Sequence, residues 1–510
     1  MKKEIKKILI ANRSEIAARI IDTCKSLGIK TVAIYTKEDK FSSFVYQADE
    51  SYELAQNGLL GYLNQDEIIS IAKNHNCNAI HPGYGLLSEI GEFATKTSLA
   101  GLTFIGPSGE QIALMGDKIK SKELMQQINI PTIPGITISE NYDIQEIKKE
   151  INKIGYPIIL KATLGGGGKA MRKVTNEDEL EKNIQIVQRE SAYLFNSLDL
   201  FAEKFIENGK HIEIQIAGDG KNIIHLFERD CSVQRRHQKF IEEAPSKFIR
   251  QKCLEKLYES AIKAAQSISY TNLGTVEFIV TPDEKFYFLE MNTRLQVEHP
   301  ITESITGLDL VELQIKIAEN DELPLTQNEI SKQGYAIECR ILAEDTKNNF
   351  APSTGCIEFL SLPKGPFIRQ DHILEEKMEI TSYFDSMLAK ITTNGQNRKA
   401  AISKMIKALN EFKIEGIATN IDFLKFILQS KEFENGLIFT DSFNKENFSL
   451  YSNFLKNPPI KKDDNSENEQ DSTEEEISLI GAILSSNSNK EIRSNINPPK
   501  QSNWKRQGWK

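Results

Sequence analysis

Residues 274–299 read GTVEFIVTPDEKFYFLEMNTRLQVEH. Thr275–Val280 and Lys285–Asn292 carry strand-forming residues and flank Thr281-Pro282-Asp283-Glu284, a turn cluster, so the stretch opens as a β-hairpin. A symmetric turn sets Glu277 opposite Phe288 and makes Glu290 its diagonal neighbour on the same face. Alternation then puts Asn292 beside Glu290. Two carboxylates held that close repel each other unless a cation lies between them. Oxygen-only ligands suit Mg2+ or Mn2+, ions that also bridge nucleotide phosphates. The polar alternation continues along the strand through Arg294, Gln296 and Glu298, with Met291, Leu295 and Val297 apolar between them. Arg294 offers a forked clamp for a small planar oxyanion, Gln296 an amide donor and Glu298 a general base. A solvated hairpin face accounts for two unrelated glutamates, but poorly for five functional side chains in nine residues.

Upstream, Pro157–Lys161 is an apolar strand ending in lysine, followed by Gly165, Gly166, Gly167, Gly168 and Lys169. Successive glycines let backbone N–H groups fold over an anion without obstruction. The run is not a Walker P-loop, because Thr163 stands where the first glycine belongs and Ala170 where Ser or Thr is required. Strand character resumes at Met171–Val174 and a helix begins only near Asn176, so the glycines form a flap between two strands. Three charged clusters accompany these features. Met115-Gly116-Asp117-Lys118 places a lysine at a domain junction. Cys231–Lys239 (CSVQRRHQK) is strongly basic and, taken alone, reads more often as a solvated or nucleic-acid patch. In Glu338–Asp345 (ECRILAED), Arg340 sits in an otherwise buried strand, where an arginine is usually a structural ion pair.

At the N-terminus, Lys7–Ala11 is a strand, Glu15–Ser26 a helix stopped by Gly28, and Thr31–Tyr35 the next strand. This βαβ unit predicts a parallel, doubly wound sheet. Its first turn, Asn12-Arg13-Ser14-Glu15, lacks the glycines a dinucleotide fingerprint needs, which argues against NAD. The 510 residues imply two to four domains. A second unit runs from Met115 to about Pro324 and a third from Gly334 to about Phe443. The net charge of −9 argues against a general nucleic-acid binder. No apolar run approaches the roughly 18–20 residues of a membrane helix. Six scattered cysteines without a CxxC pair suit reduced thiols in the cytoplasm better than disulfides or a zinc site.

Together, the strings KILIANRSEIA, AIHPGYGLLSE, LMGDK, GGGGKAMR, HIEIQ, ERDCSVQRRHQK, EEAPS, FYFLEMNTRLQVEHPITE, IECRILAED and YFDSM closely resemble the biotin carboxylase family of ATP-grasp enzymes. The resemblance covers about residues 4–445. It implies an α/β protein with three parts: a doubly wound, Rossmann-like N-terminal domain (1–114), a central ATP-grasp domain (115–333) with a mobile glycine-rich lid (about 131–204), and a C-terminal α+β domain (334–445). By the same resemblance, Lys118, Lys161, the four lid glycines and His237 face the ATP phosphates, while Glu203, Lys204, His211 and Gln234 contact the nucleotide. Glu277 and Glu290, with Asn292 alongside, hold two Mg2+ or Mn2+ ions. Arg294, Gln296 and the Val297 backbone cradle bicarbonate, Glu298 is the base, and Lys239 is a further active-site residue. Tyr84 and Arg340 face the biotin ureido ring.

The implied reaction is ATP- and bicarbonate-dependent carboxylation of biotin through carboxyphosphate. Departures from the family pattern are Ser14 for glycine, Lys169-Ala170 for Arg-Gly, and Ile90 for asparagine. None removes a catalytic group. Other ATP-grasp ligases, such as a carbamoyl-phosphate synthetase half or a phosphoribosyl-amine carboxylating enzyme, share the metal hairpin but not RLQVEHP together with ECRILAED. A silent scaffold protein is disfavoured because every proposed catalytic residue is present. No Ala-Met-Lys-Met biotin-attachment motif occurs, so the biotin carrier and the carboxyltransferase of an acetyl-CoA, propionyl-CoA or pyruvate carboxylase are expected on separate polypeptides. A homodimer within that complex is also expected, without nucleic acid or membrane.

Beyond Tyr451 the composition changes. Asp463 to Glu476 holds eight acidic residues and no apolar one, the signature of a disordered linker. A short apolar stretch (Ile477–Leu484) and the basic end SNWKRQGWK follow, with both tryptophans, Trp504 and Trp509, in the last seven residues. Aromatic residues and arginine anchor interfaces, so this end is expected to dock on a partner protein of the complex. Truncation before Asp463 should therefore weaken co-purification with those partners, and an unchanged yield of the complex would discard the idea.

Overall fold

The computed structural model describes residues 4–163, 170–195, 197–236, 238–320 and 322–443. Strands Lys7–Ile10 (β1), Lys30–Tyr35 (β2), Glu50–Glu53 (β3), Ala79–His81 (β4) and Thr103–Phe104 (β5) pair in parallel in the order β3-β2-β1-β4-β5. This is the doubly wound sheet expected from the first βαβ unit, with the helix Ser14–Ser26 packing Ile16, Ala17, Ile20 and Ile21 against it. At the point where the strand order reverses, Asn12 fills the turn. Its amide donates to the carbonyls of Pro82 (2.7 Å) and Tyr84 (2.8 Å), tying the first loop to the fourth.

Strands Gly135–Ile138 (β6), Ile158–Ala162 (β7), Met171–Val174 (β8) and Leu200–Lys204 (β9) form a separate four-stranded sheet ordered β6-β9-β7-β8. It owns its core: Ile138, Ile151, Ile158, Leu160, Ile184, Val187 and Leu200 pack among themselves beneath the helices Ile144–Ile154 and Leu180–Phe195. Lys161 pairs with Met171 across β7 and β8, so the glycine run joins two antiparallel strands as predicted. The glycines Gly165 to Gly168 lie outside the described residues.

The third sheet is the largest. It comprises Lys210–Asp219 (β10), Ile223–Arg235 (β11), Gln238–Ala244 (β12), Thr271–Val280 (β13), Phe286–Asn292 (β14), Tyr335–Leu342 (β15), Ile368–His372 (β16) and Met387–Gly395 (β17). Their order is β14-β13-β10-β11-β12-β15-β17-β16, antiparallel throughout. The sheet passes without a break from β12 to β15, so the segment from Gly334 adds its strands to the sheet of the preceding one. Arg398, in the helix Arg398–Glu411, reinforces that junction by donating to both oxygens of the buried Glu243 at 2.6 and 3.0 Å. Cys24, Cys77, Cys231, Cys253 and Cys339 are buried, Cys356 is exposed, and all six are unpaired. No described helix is long and apolar enough to cross a membrane.

Two of the departures from the family pattern fall where the backbone is left-handed. Ser14 has φ +59° and Ala170 has φ +49°, the left-handed region in which a Cβ is strained by about 1–2 kcal/mol and glycine is not. Ser14→Gly should raise the free energy of unfolding by about 0.5–1 kcal/mol once the added freedom of the unfolded chain is subtracted. Urea denaturation of the two proteins measures the difference.

Candidate active site

The hairpin is tighter than symmetric. Glu284 takes a left-handed conformation (φ +58°), and Thr281 donates its backbone N–H to Lys285 across a three-residue loop. The register is then Phe278 opposite Phe288, but Glu277 opposite Glu290, with Leu289 as the extra residue of a bulge. The expected pairing of Glu277 with Phe288 is thus corrected. Phe278 and Phe288 enter the core, while Leu289 and Glu290 both face a cavity of about 630 Å3. The strand also ends at Asn292 rather than continuing to Glu298. Residues 293–298 are irregular, yet Arg294, Gln296, Val297 and Glu298 all line the same cavity.

At its centre is Lys239. Its ammonium donates to Glu213 (2.6 Å), Glu277 (3.0 Å) and Glu298 (2.6 Å). Of the basic run, Lys239 turns inward here while Arg236 stays exposed, with a tight turn that has Arg236 at φ +50° joining β11 to β12. The other oxygen of Glu298 accepts from Arg340 (3.0 Å), whose Nε donates to Glu242 (2.6 Å). Arg340 is therefore an ion-pair residue, as its strand suggested, and one partner is the expected base. Burial pushes the Glu298 carboxyl up, but Lys239, Arg340 and Arg229 outweigh it and hold the group well below the usual carboxylate range. Burial would lower the Lys239 ammonium, and the three carboxylates instead raise it well above its ordinary value.

Arg294 donates to Glu89 (2.9 Å), Gln296 (3.0 Å) and Asn292 (3.1 Å), and the Gln296 amide donates to Glu277 (3.0 Å). On the opposite wall, Lys161 and Lys122 both donate to the buried Glu203. Burial pushes Glu203 up, but the two lysines bring its pKa down to about 2. Lys204 bonds the carbonyls of Gly155 and Tyr156 and borders the cavity. His211 meets Gln234 through Nδ1 (2.8 Å) and Glu277 through Nε2 (2.9 Å). Lys118 also lines the cavity, its pKa lowered by burial. Tyr84 is the exception: it does not line this cavity, and its ring centroid lies 5.5 Å from the ammonium of Lys390. His237 lies outside the described residues.

The donor set fits a hard divalent ion. Glu290 is raised by burial and then by Glu277 directly opposite, with Lys118 lowering it. A cation between the two carboxylates relieves both effects. His211, Glu213 and Glu277 also lie within 4.8 Å of one another, but the Lys239 ammonium already bridges two of them. Residues the sequence reading passed over are Lys122, Glu213, Arg229, Glu242 and Glu89. The alternation in HIEIQ, which sets Glu213 on the face of His211, was a legible signal for the second. The others become visible only through long-range pairing.

A cleft between a small antiparallel lid and a large sheet, with lysines on one wall and paired carboxylates on the other, defines an ATP-grasp enzyme. Models of the biotin carboxylase N-terminal and C-terminal domains match residues 4–112 and 338–445, and the carbamoyl-phosphate synthase L chain ATP-binding domain matches 117–326. Biotin carboxylase 2 of Bacillus subtilis is 47% identical over 437 residues, which is 85% of this chain and 98% of that protein. The 2-oxoglutarate carboxylase small subunit of Hydrogenobacter thermophilus is 46% identical over 434 residues, 84% of this chain and 91% of that protein. The biotin carboxylase domain of Hydrogenobacter thermophilus 2-oxoglutarate carboxylase, solved as a dimer with MgADP, ADP and bicarbonate, superposes with a TM-score of 0.83 at 46% identity, covering 86% of this chain and 96% of that one. The chain belongs to the biotin carboxylase family.

The Glu203 pair carries a pH signature. Its folded pKa near 2 lies below the ordinary 4.5, so its contribution to stability is complete above about pH 5 and is lost as pH falls toward 2. The stability difference between the unaltered protein and Glu203→Gln, followed by urea denaturation, should be flat above pH 5 and shift in favour of the variant below it.

Proposed function

We propose that this cleft carboxylates biotin presented by a separate carrier protein, using ATP and bicarbonate. The observation that carries the reading is the position of Glu298: its two oxygens are held by Lys239 and Arg340, on the cavity that Arg294 and Gln296 also line. Bicarbonate binds against Arg294, Gln296 and the Val297 backbone. An anion arriving beside Glu298 raises the proton affinity of a carboxylate that is otherwise a weak base. Glu298 takes the bicarbonate proton, the freed oxygen attacks the γ-phosphorus, and the bond to ADP breaks, giving carboxyphosphate. Lys118 and Lys161, with His237 and the lid glycines, bind the phosphates, and Glu203, Lys204, His211 and Gln234 orient the nucleotide. Glu277 and Glu290, with Asn292, hold Mg2+ or Mn2+, which neutralises charge on the transferred phosphoryl group when bound.

Carboxyphosphate releases CO2 and phosphate, phosphate removes the ureido N–H proton of biotin, and the resulting nitrogen anion captures CO2. Arg340, freed from Glu298 as the substrates enter, faces the ureido oxygen. Tyr84 lines the approach for biotin, a role that requires it to reach the cleft from its place beside Lys390. Closure of the glycine lid excludes water from the labile intermediate. The final acceptor is a keto acid or acyl-CoA handled by a carboxyltransferase partner, and the working unit is a homodimer in the cytoplasm. ADP release with bicarbonate, with and without free biotin, tests the reading. Biotin should accelerate it, and Glu298→Gln should slow it by about 10²–10⁴-fold, the usual worth of a general base. Indifference to biotin would remove the carboxylation reading; an active Glu298→Gln would remove the base.

A further inference from the structure

Lys390 lies on β17 with no solvent exposure, and its Nζ donates to the backbone carbonyl of Val297 at 2.9 Å. Glu15, in the first turn of the helix Ser14–Ser26, lies 3.3 Å from the same nitrogen. Glu338 and Asp371 also feel its charge. The preceding peptide is held as well. The buried His299 ring meets the Gln296 carbonyl through Nδ1 at 2.8 Å. Burial, followed by the charges of Lys390, Arg19 and Arg369, keeps His299 well below its ordinary pKa. The ring is therefore neutral, with its proton on Nδ1 to make that bond.

Consecutive carbonyls at 296 and 297 are thus both drawn onto buried anchors. In a trans peptide the N–H points opposite to its carbonyl, so the N–H groups of Val297 and Glu298 are turned away from those anchors. Stability alone does not explain a lysine here, since a buried ion pair is commonly no better than apolar packing of the same volume. We propose that Lys390 is a positioning residue: its buried ammonium fixes the 297–298 peptide, and so sets the Glu298 N–H and the Glu298 carboxylate against the small oxyanion. The proposal rests on the carboxylation reading of the cleft. It also joins the three segments, because Glu15 comes from the first sheet's helix, Val297 from the loop after β14, and Lys390 from β17.

Lys390→Met leaves Glu15 buried without its counter-charge and should unfold at a lower temperature. The double variant Glu15→Gln/Lys390→Met removes the closest pair of charges and should recover much of the melting temperature, with Arg369 still paired to Asp371. If Lys390 positions the loop, the double variant still turns over on the order of 10- to 100-fold more slowly. Its KM for bicarbonate is raised, and its KM for ATP stays within about twofold of the parent. A crystal structure of the double variant should show the 297–298 peptide rotated. Full recovery of turnover together with stability, or an unmoved peptide, would overturn the proposal and leave Lys390 as a structural counter-ion. The unaltered protein is assayed alongside: an absence of biotin-stimulated turnover there counts against the carboxylation reading, and the peptide's orientation still decides the role of Lys390.

Discussion

One buried ammonium makes the cleft possible. Glu213, Glu277 and Glu298 converge on Lys239 at 2.6–3.0 Å, and each carboxylate repels the other two. Opposite unit charges about 4 Å apart gain about 4 kcal/mol at an effective dielectric near 20. Three attractions to Lys239 act at shorter range than the three mutual repulsions, so a single cation turns an unfavourable cluster into a favourable one. Arg229, fully buried behind Glu213, and Arg340, between Glu242 and Glu298, add the charge that holds Glu298 below the usual carboxylate range, while burial and Glu298 push the Glu213 carboxyl up. Removing Lys239 would release the repulsion and leave three solvent-poor carboxylates to take up protons.

That centre draws on distant segments of the described residues. Lys239 is the second residue of β12, Glu277 lies on β13, and Arg340 comes from β15 across the continuous sheet. Arg294 is steadied by Glu89 from the N-terminal segment. The lid contributes Lys161 and Glu203 while keeping its own apolar core. Its sheet can therefore change its distance from the cleft without repacking the interior of either body.

Local signals carried much of this. The parallel first sheet followed from βαβ periodicity, the glycine loop from its flanking strands, and the cavity wall from the polar alternation between Glu290 and Glu298. Non-local pairing was not legible. Nothing near Lys239 reveals that it will meet glutamates 26 and 59 positions away, and a run of basic residues looks alike whether it faces water or carboxylates. The register of β13 on β14 also escaped, because a left-handed Glu284 and a bulged Leu289 break the symmetry that pattern reading assumes.

That bulge sets how many side chains the hairpin lends to the cleft. Phe288 and Glu290 are two residues apart and would share a face in an unbroken strand. With Leu289 as the extra residue, Phe288 enters the core and Glu290 the cavity. Leu289 thereby adds an apolar side chain to the cavity wall beside Glu290. Without it, Glu290 would follow Phe288 in a regular strand, still opposite Glu277 and still facing the cavity with Asn292, while Met291 stayed in the core. The bulge therefore gives the cleft one more wall residue than an unbroken strand could, and leaves the alternation on either side of it intact.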